Sequence, residues 1–212
     1  MKIFVAGAAG QVGRIVVEKA VAAGHEVTGL VRSQEQREEI EGLGASAALS
    51  DLRDRAGLEE AIAGHDAVLF AAGSRGKALN EVDLGGAINT CDAMKATGVS
   101  RLVLLSSIFA DQPEKWPSDL GPYMKAKHEA DGYVKSSGLD WTLVRPGTLT
   151  DDPGTGSVKV AEELSGEIDQ LRITRADVAA VIVAALTEPR TVGKAFELVE
   201  GDVEIEEALK GV

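Results

Sequence analysis

Two side chains in the stretch GPYMKAKHEADGYVKSSG can share a proton-transfer task, Tyr123 and Lys127. Four residues apart on a helix, they lie on one face. A phenol titrates near ~10 and is a poor acid or base at neutral pH. A neighbouring ammonium stabilises the phenolate and brings the group closer to the working range. Lys127 could also hold a ribose hydroxyl. Upstream, the apolar run RLVLLSS ends in Ser106-Ser107, whose hydroxyls could orient a carbonyl or alcohol beside Tyr123. Each residue alone has an ordinary structural reading, since lysine is frequent on exposed helix faces. Their order along the chain carries the weight.

The first thirteen residues, MKIFVAGAAGQVG, supply the other half of that order. An apolar run ends in Gly7, and Gly10 and Gly13 follow at spacings of three before the amphipathic run RIVVEKAV. This reads as strand, glycine turn and helix. Gly7 permits the sharp turn, Gly10 lets a pyrophosphate approach the backbone, and Gly13 lets the helix pack close to the strand. The N–H groups and positive dipole end of the first helical turn would then hold the phosphates, so the turn Gly7, Ala9, Gly10, Gln11, Val12 and Gly13 is the expected dinucleotide cradle.

The second strand usually ends at the adenosine ribose, where an acid selects NAD and a base accommodates the 2′-phosphate of NADP. Here it ends in Val31-Arg32-Ser33, with no acid. Arg32 offers a planar fork for a phosphate and Ser33 a donor, with Arg14 a possible helper. NADP(H) is therefore favoured over NAD(H). Beyond the third strand, Asp51, beside Leu52, could accept from the adenine amino group or could cap the following helix.

Positioning these groups requires the elements between them. Strands are expected at 2–6, 26–31, 45–49, 66–71, 101–106 and 140–145, near-continuously apolar, as parallel strands covered on both faces should be. Helices are expected at about 11–23, 34–42, 55–63, 80–97, 119–137 and 175–187. Gly24, Gly98 and Gly138 each follow a helix, where a left-handed cap is common. The alternation implies an α/β fold, a doubly wound, mostly parallel sheet between two helical layers. No linker divides residues 1–212. From 148 to 173 the pattern loosens into a substrate-side loop with short strands, and residues 195–199 are expected to add an edge strand.

The bulk properties exclude several classes. A net charge of −12 argues against nucleic acid, which needs a basic face. No apolar run reaches the ~20 residues that span a bilayer. One cysteine, Cys91, permits no internal disulfide, and a strand opens the chain where a signal peptide would stand, so a cytoplasmic setting is expected. His25, His65 and His128 show no metal-ligand spacing. No Gly-x-Ser-x-Gly elbow points to a hydrolase. Asp151-Asp152 and Glu162-Glu163 read as solvated acidic faces, and Trp116 and Trp141 as packing residues.

The chain resembles the short-chain dehydrogenase/reductases, in particular the small atypical NAD(P)-binding members related to sugar epimerase/dehydratases. The resemblance rests on Gly7-Ala8-Ala9-Gly10-Gln11-Val12-Gly13, Ala71-Ala72-Gly73, Ser106-Ser107, Tyr123-Met124-Lys125-Ala126-Lys127 and Arg145-Pro146-Gly147. It implies a Rossmann fold with the nicotinamide near Ser107, Tyr123 and Pro146-Gly147, and Ala71, Ala72 and Gly73 along the cofactor. It assigns proton transfer to Tyr123, ribose anchoring to Lys127 and polarisation of the substrate oxygen to Ser107 or Ser106. Where the family often carries Asn-x-x-Gly, this chain reads Asp83-Leu84-Gly85-Gly86. The expected function is an NADP(H)-dependent oxidoreductase on a small carbonyl or hydroxyl substrate. Two alternatives stand beside it: an epimerase or dehydratase-like isomerase, and a non-catalytic NADP(H)-binding redox sensor. Both a monomer and a dimer are compatible with the sequence.

Overall fold

The computed structural model describes residues 1–212. The six apolar runs form β1 (Lys2–Ala6), β2 (Glu26–Val31), β3 (Ser46–Leu49), β4 (Ala67–Phe70), β5 (Arg101–Leu105) and β6 (Asp140–Pro146). They lie parallel in the order β3-β2-β1-β4-β5-β6. The order reverses at β1, whose Ile3 sits opposite Val27 of β2 on one side and Ala67 of β4 on the other. This is the Rossmann arrangement, and its ligand crevice opens at the carboxyl ends of the strands beside that reversal.

Side-chain alternation along β1 builds both layers of the core. Ile3 and Val5 pack with Val16, Val17 and Ala20 of α1 (Gln11–Ala22) and with Val178, Val181 and Ile182 of α6 (Arg175–Thr187). Phe4 and Ala6 point the other way, onto Leu58 of α3 (Arg55–Ile62), Cys91 and Met94 of α4 (Gly85–Thr97) and Val134 of α5 (Gly121–Lys135). The remaining long connection, α2 (Gln34–Gly42), buries Ile40 in the first layer. Gly24, Gly98 and Gly138 all carry positive φ, 81°, 76° and 78°, as left-handed turns after helices require.

Three expectations change. The segment 195–199 is not an edge strand. As β10 (Lys194–Glu200) it lies inside the sheet, parallel to β6 and antiparallel to β8 (Ser157–Ala161), and β11 (Val203–Glu204) forms the edge beyond. The reason is that part of the loose 148–173 segment folds back as β8 and covers it. Second, the helix expected over 80–97 is broken. Leu79–Leu84 forms a π-helical turn before α4 begins at Gly85. The wider turn buries Asp83, whose Oδ2 accepts the Ser74 N–H at 3.0 Å and ties down the chain leaving β4. Third, a short helix absent from the sequence reading, α7 (Ile205–Lys210), docks through Ile205 and Leu209, one turn apart. The rest of the 148–173 segment supplies β7 (Thr148–Thr150) and β9 (Arg172–Thr174), a separate two-stranded parallel pair. No helix is long and apolar enough to cross a membrane.

Cys91 illustrates how dry the second layer is: burial pushes its thiol up to about 12. It should resist alkylation by iodoacetamide at pH 8 in the folded protein and react at the rate of global unfolding. Labelling followed by mass spectrometry checks this; fast modification of native protein would contradict the buried placement.

Candidate active site

The cradle follows from close backbone approach. Gly7 ends β1 with φ +89°, and a Cβ there would stand 2.6 Å from the Ala72 backbone. Gly13 presses α1 so near the turn that a Cβ would meet the Gly7 carbonyl oxygen at 2.0 Å. Gly10 donates its N–H to Gly7 O at 2.9 Å and caps α1 without any side-chain hydrogen bond. A Cβ on Gly10 would enter the turn 3.1 Å from the same carbonyl. The first helical N–H groups therefore have no side-chain cap, which is the donor set a pyrophosphate needs. Ala9 is half-buried, Gln11 exposed and Val12 buried in the core. Across the turn, Ala71 and Ala72 form the opposing wall. Gly73 stands beside the Asp83 carboxylate, which a Cβ would approach to 3.3 Å.

After β2, the Arg32 side chain is exposed, and its backbone N–H donates to Gln36 Oε1 at 2.8 Å. Ser33 caps α2, its Oγ accepting the Gln36 N–H at 3.2 Å. That leaves the Ser33 hydroxyl hydrogen for a ligand. Asp51 does not cap α3; Asp54 does, accepting the Gly57 N–H. Asp51 instead takes both arms of Arg53 at 2.8 Å, and that pairing holds its carboxyl down to about 2. Leu52 is buried against Gly86, and its carbonyl accepts from Asn89.

At the end of β5, Tyr123 and Lys127 lie one above the other on α5, with Lys127 Nζ 5.8 Å from the Tyr123 ring centroid. Lys127 is buried and donates to Leu105 O at 3.0 Å, which pins it to the last residue of β5. Ser107 Oγ points to Met124 Sδ at 3.7 Å, on the α5 turn that carries Tyr123. Ser106 departs from its expected role. It is buried, and its hydroxyl stands beside Asp131 rather than in the crevice. Both serines follow the last residue of β5, and the chain there packs against α5, setting Ser106 beside Asp131 and Ser107 beside Met124. Pro146 closes β6, and its carbonyl accepts the Ile108 N–H at 2.9 Å. Gly147 is needed because a Cβ would meet Leu171 O at 2.1 Å. The glycine turn, Arg32, Ala71–Gly73, Ser107 and Pro146–Gly147 thus follow β1, β2, β4, β5 and β6 on one edge of the sheet.

Comparison with known proteins identifies the family. A family model described as NAD(P)H-binding matches residues 7–189. The chain belongs to that NAD(P)H-binding family. It is 40% identical to a Bacillus subtilis protein named as an uncharacterized sugar epimerase, YhfK, over 99% of both chains. It is 34% identical to a Streptomyces griseus enzyme, (4-alkanoyl-5-oxo-2,5-dihydrofuran-3-yl)methyl phosphate reductase, over 92% of this chain and 66% of that one. The crystal structure of the oxidoreductase ylbE from Lactococcus lactis superposes with a TM-score of 0.92 at 32% identity, covering 100% of this chain and 96% of that one.

In this member of the NAD(P)H-binding family, the wall beside Tyr123 is built by residues the sequence reading missed. Glu197, on β10, has no solvent exposure. Its Oε1 accepts from Phe109 N at 2.9 Å and Gln112 Nε2 at 3.1 Å, and its Oε2 from Leu164 N at 2.6 Å. One carboxylate therefore joins the loop after β5 to the segment after β8. Phe109 takes a left-handed φ of 60°, costly for a bulky residue, and is held there from both sides. Its N–H is bound by Glu197 and its carbonyl by Trp116 Nε1 at 2.9 Å. Ile108, Phe109, Met124, Leu164 and Val199 form a small third core, with Tyr123, Trp116, Ile168 and Leu171 packed on it. His128 turns to Ala110 O at 2.9 Å and meets the Trp116 ring edge-on. A lone glutamate within the apolar run AFELV was the available signal for Glu197, since charge inside such a run needs buried partners. A cleft of about 570 Å³ lies between Gly76–Glu81 and the α5 residues Pro122, Lys125, Ala126 and Glu129.

Two helical glycines give opposite expectations. Gly13→Ala drives a methyl into the Gly7 carbonyl and should cost about 2 kcal/mol or more. Gly132→Ala, on α5 with nothing within 4 Å, should gain about 0.5–1 kcal/mol from helix propensity. Urea midpoints of the two variants check both signs.

Proposed function

We propose that the protein is an NADP(H)-dependent oxidoreductase acting on a small carbonyl or hydroxyl substrate, with Tyr123 as its proton donor and acceptor. The carrying observation is the Tyr123–Lys127 pair pinned at the end of β5, beside Ser107 and on the edge that holds the glycine cradle. The bound nicotinamide supplies or takes the hydride. Tyr123 gives its proton to the substrate oxygen in reduction and recovers it in oxidation. Lys127 places a cation beside the phenol and can anchor the nicotinamide ribose. Ser107 orients the substrate oxygen; Ser106, turned to Asp131, is left out of that role. Ala71–Gly73 and Pro146–Gly147 would wall the cofactor, and Gly7, Ala9, Gly10, Gln11, Val12 and Gly13 would hold its pyrophosphate.

Preference for the 2′-phosphate is assigned to Arg32, helped by Ser33. Its side chain is exposed and makes no ion pair, while the Asp51 carboxylate, whose charge Arg32 also feels, is paired with Arg53 at 2.8 Å. Asp51 and Leu52 would flank the adenine. A second reading, an isomerase that returns hydride to the same substrate, is favoured by the name of the Bacillus subtilis relative. A regulator that senses cofactor without turnover is the third.

Fluorescence titration with NADPH and NADH comes first. Arg32→Ala should weaken NADPH by about tenfold or more, the worth of one charge-assisted hydrogen bond, and leave NADH nearly unchanged. Equal affinities in the parent protein would remove the NADP preference. With a turned-over aldehyde or ketone in hand, Tyr123→Phe should lower kcat by roughly 10²–10⁴ and keep NADPH affinity. Retained turnover would remove Tyr123 from the mechanism. An isomerase would convert substrate with no net NADPH consumption.

A further inference from the structure

The face of α5 that carries Tyr123 and Lys127 continues one more turn to Asp131, four residues beyond the lysine. Asp131 is 2% exposed. Its Oδ2 lies 3.0 Å from both Nε and Nη2 of Arg145, itself buried on β6. Its other oxygen, Oδ1, has no hydrogen-bond partner, and neither has the buried Ser106 hydroxyl beside it. Arg145 reaches outward with Nη1 to Asp111, which is 40% exposed and approached by Lys135 at 3.8 Å. A ladder of alternating charge thus runs from the proton-transfer pair to the surface: Lys127, Asp131, Arg145, Asp111, Lys135.

We propose that Asp131 is a positioning residue for the Tyr123–Lys127 pair, the buried anion that offsets Lys127 and Arg145 and so sets the field in which the Tyr123 phenol ionises. This rests on the proton-transfer role proposed for Tyr123. Lys127 and Arg145 are both cations at about 5% exposure or less, and Asp131 is the one equally buried anion between them. Asp111 balances Arg145 from the solvent side, where water screens it. In a low-dielectric interior the inner charge counts for more than the outer one. Burial pushes the Asp131 carboxyl up, while the charges of Arg145 and Lys127 pull the other way. Arg145 is held above its ordinary value although burial opposes it, because Asp131 and Asp111 face it.

Of the neighbouring charges, Lys125 and Glu129 on α5 are exposed and pair with each other at 3.8 Å, and Lys115 Nζ lies 4.6 Å from the Phe109 ring centroid. His128 bonds to Ala110 O, Glu197 is saturated by three donors behind Phe109, and Asp83 holds Ser74 N. Loss of the Asp131 charge therefore leaves Lys127 and Arg145 with no buried anion between them. That favours phenolate, and Tyr123 must titrate at lower pH. Loss of the Arg145 charge acts in the opposite sense.

The chain has two tyrosines, so Tyr123 can be read alone. In a Tyr133→Phe, Gly132→Ala background, phenolate absorbance is followed against pH without substrate or cofactor. Asp131→Asn should move the midpoint down by about one unit, and Asp131→Glu should restore it. Arg145→Gln should move it up. Asp111→Asn should leave it near the parent, because solvent screens that site. The Arg145 arm decides the question if Asp131→Asn does not fold. Coincident titrations in the folded variants, or Asp111→Asn matching Asp131→Asn, would overturn the proposal and leave the ladder a fold-stabilising ion pair. Absence of any enzyme turnover would count against the oxidoreductase reading and leave this measurement intact.

Discussion

The candidate site depends on how closely three pieces of backbone can approach: the turn after β1, the start of α1 and the chain leaving β4. No side chain fits between them. A methyl on Gly13 would overlap the Gly7 carbonyl, and one on Gly7 would overlap Ala72. This steric constraint pins α1 to the end of β1, aims its uncapped N–H groups into the crevice, and brings Ala71–Gly73 opposite them. The parallel order then carries the other functional residues to the same edge, because every strand from β1 to β6 ends on that side.

Around this frame the chain spends buried polar groups where loops must be held. Asp83 fixes the exit from β4, Glu197 joins the two segments beside Tyr123, and Asp131 with Arg145 underlies Lys127. Each is nearly solvent-free and costly unless fully partnered. Glu197 is the plainest case. It faces no cation, and three donors share its charge, two of them backbone N–H groups from segments distant in sequence. A strained residue, Phe109, is one of those donors, so the carboxylate and the backbone strain occupy the same turn, two residues past Ser107.

Much of this frame was legible in advance. The glycine spacing named the turn, the apolar runs placed the six parallel strands within a residue or two, and the four-residue interval put Tyr123 and Lys127 on one face. These features are local, and 3.6- and 2-residue periodicity reports them directly. The exchange of roles near Asp51 was not legible. Both Asp51 and Asp54 can start a helix, and only the place where Arg53 folds back decides between them. Likewise Ser106 and Ser107 are identical in type, and only the packing of the chain after β5 against α5 sets one beside Asp131 and the other beside Met124.

By itself, the sequence determined the doubly wound sheet, the glycine turn after β1 and the pairing of a phenol with an ammonium, because each is written in short-range spacing. Only the tertiary structure decided that residues 194–200 lie inside the sheet, that Asp83 sits in a π-helical turn, and that Asp131, Arg145 and Glu197 gather beneath and beside the crevice. Those outcomes depend on contacts between segments far apart in the chain. The cost of burying a charge becomes tolerable only once the partners from other elements have arrived.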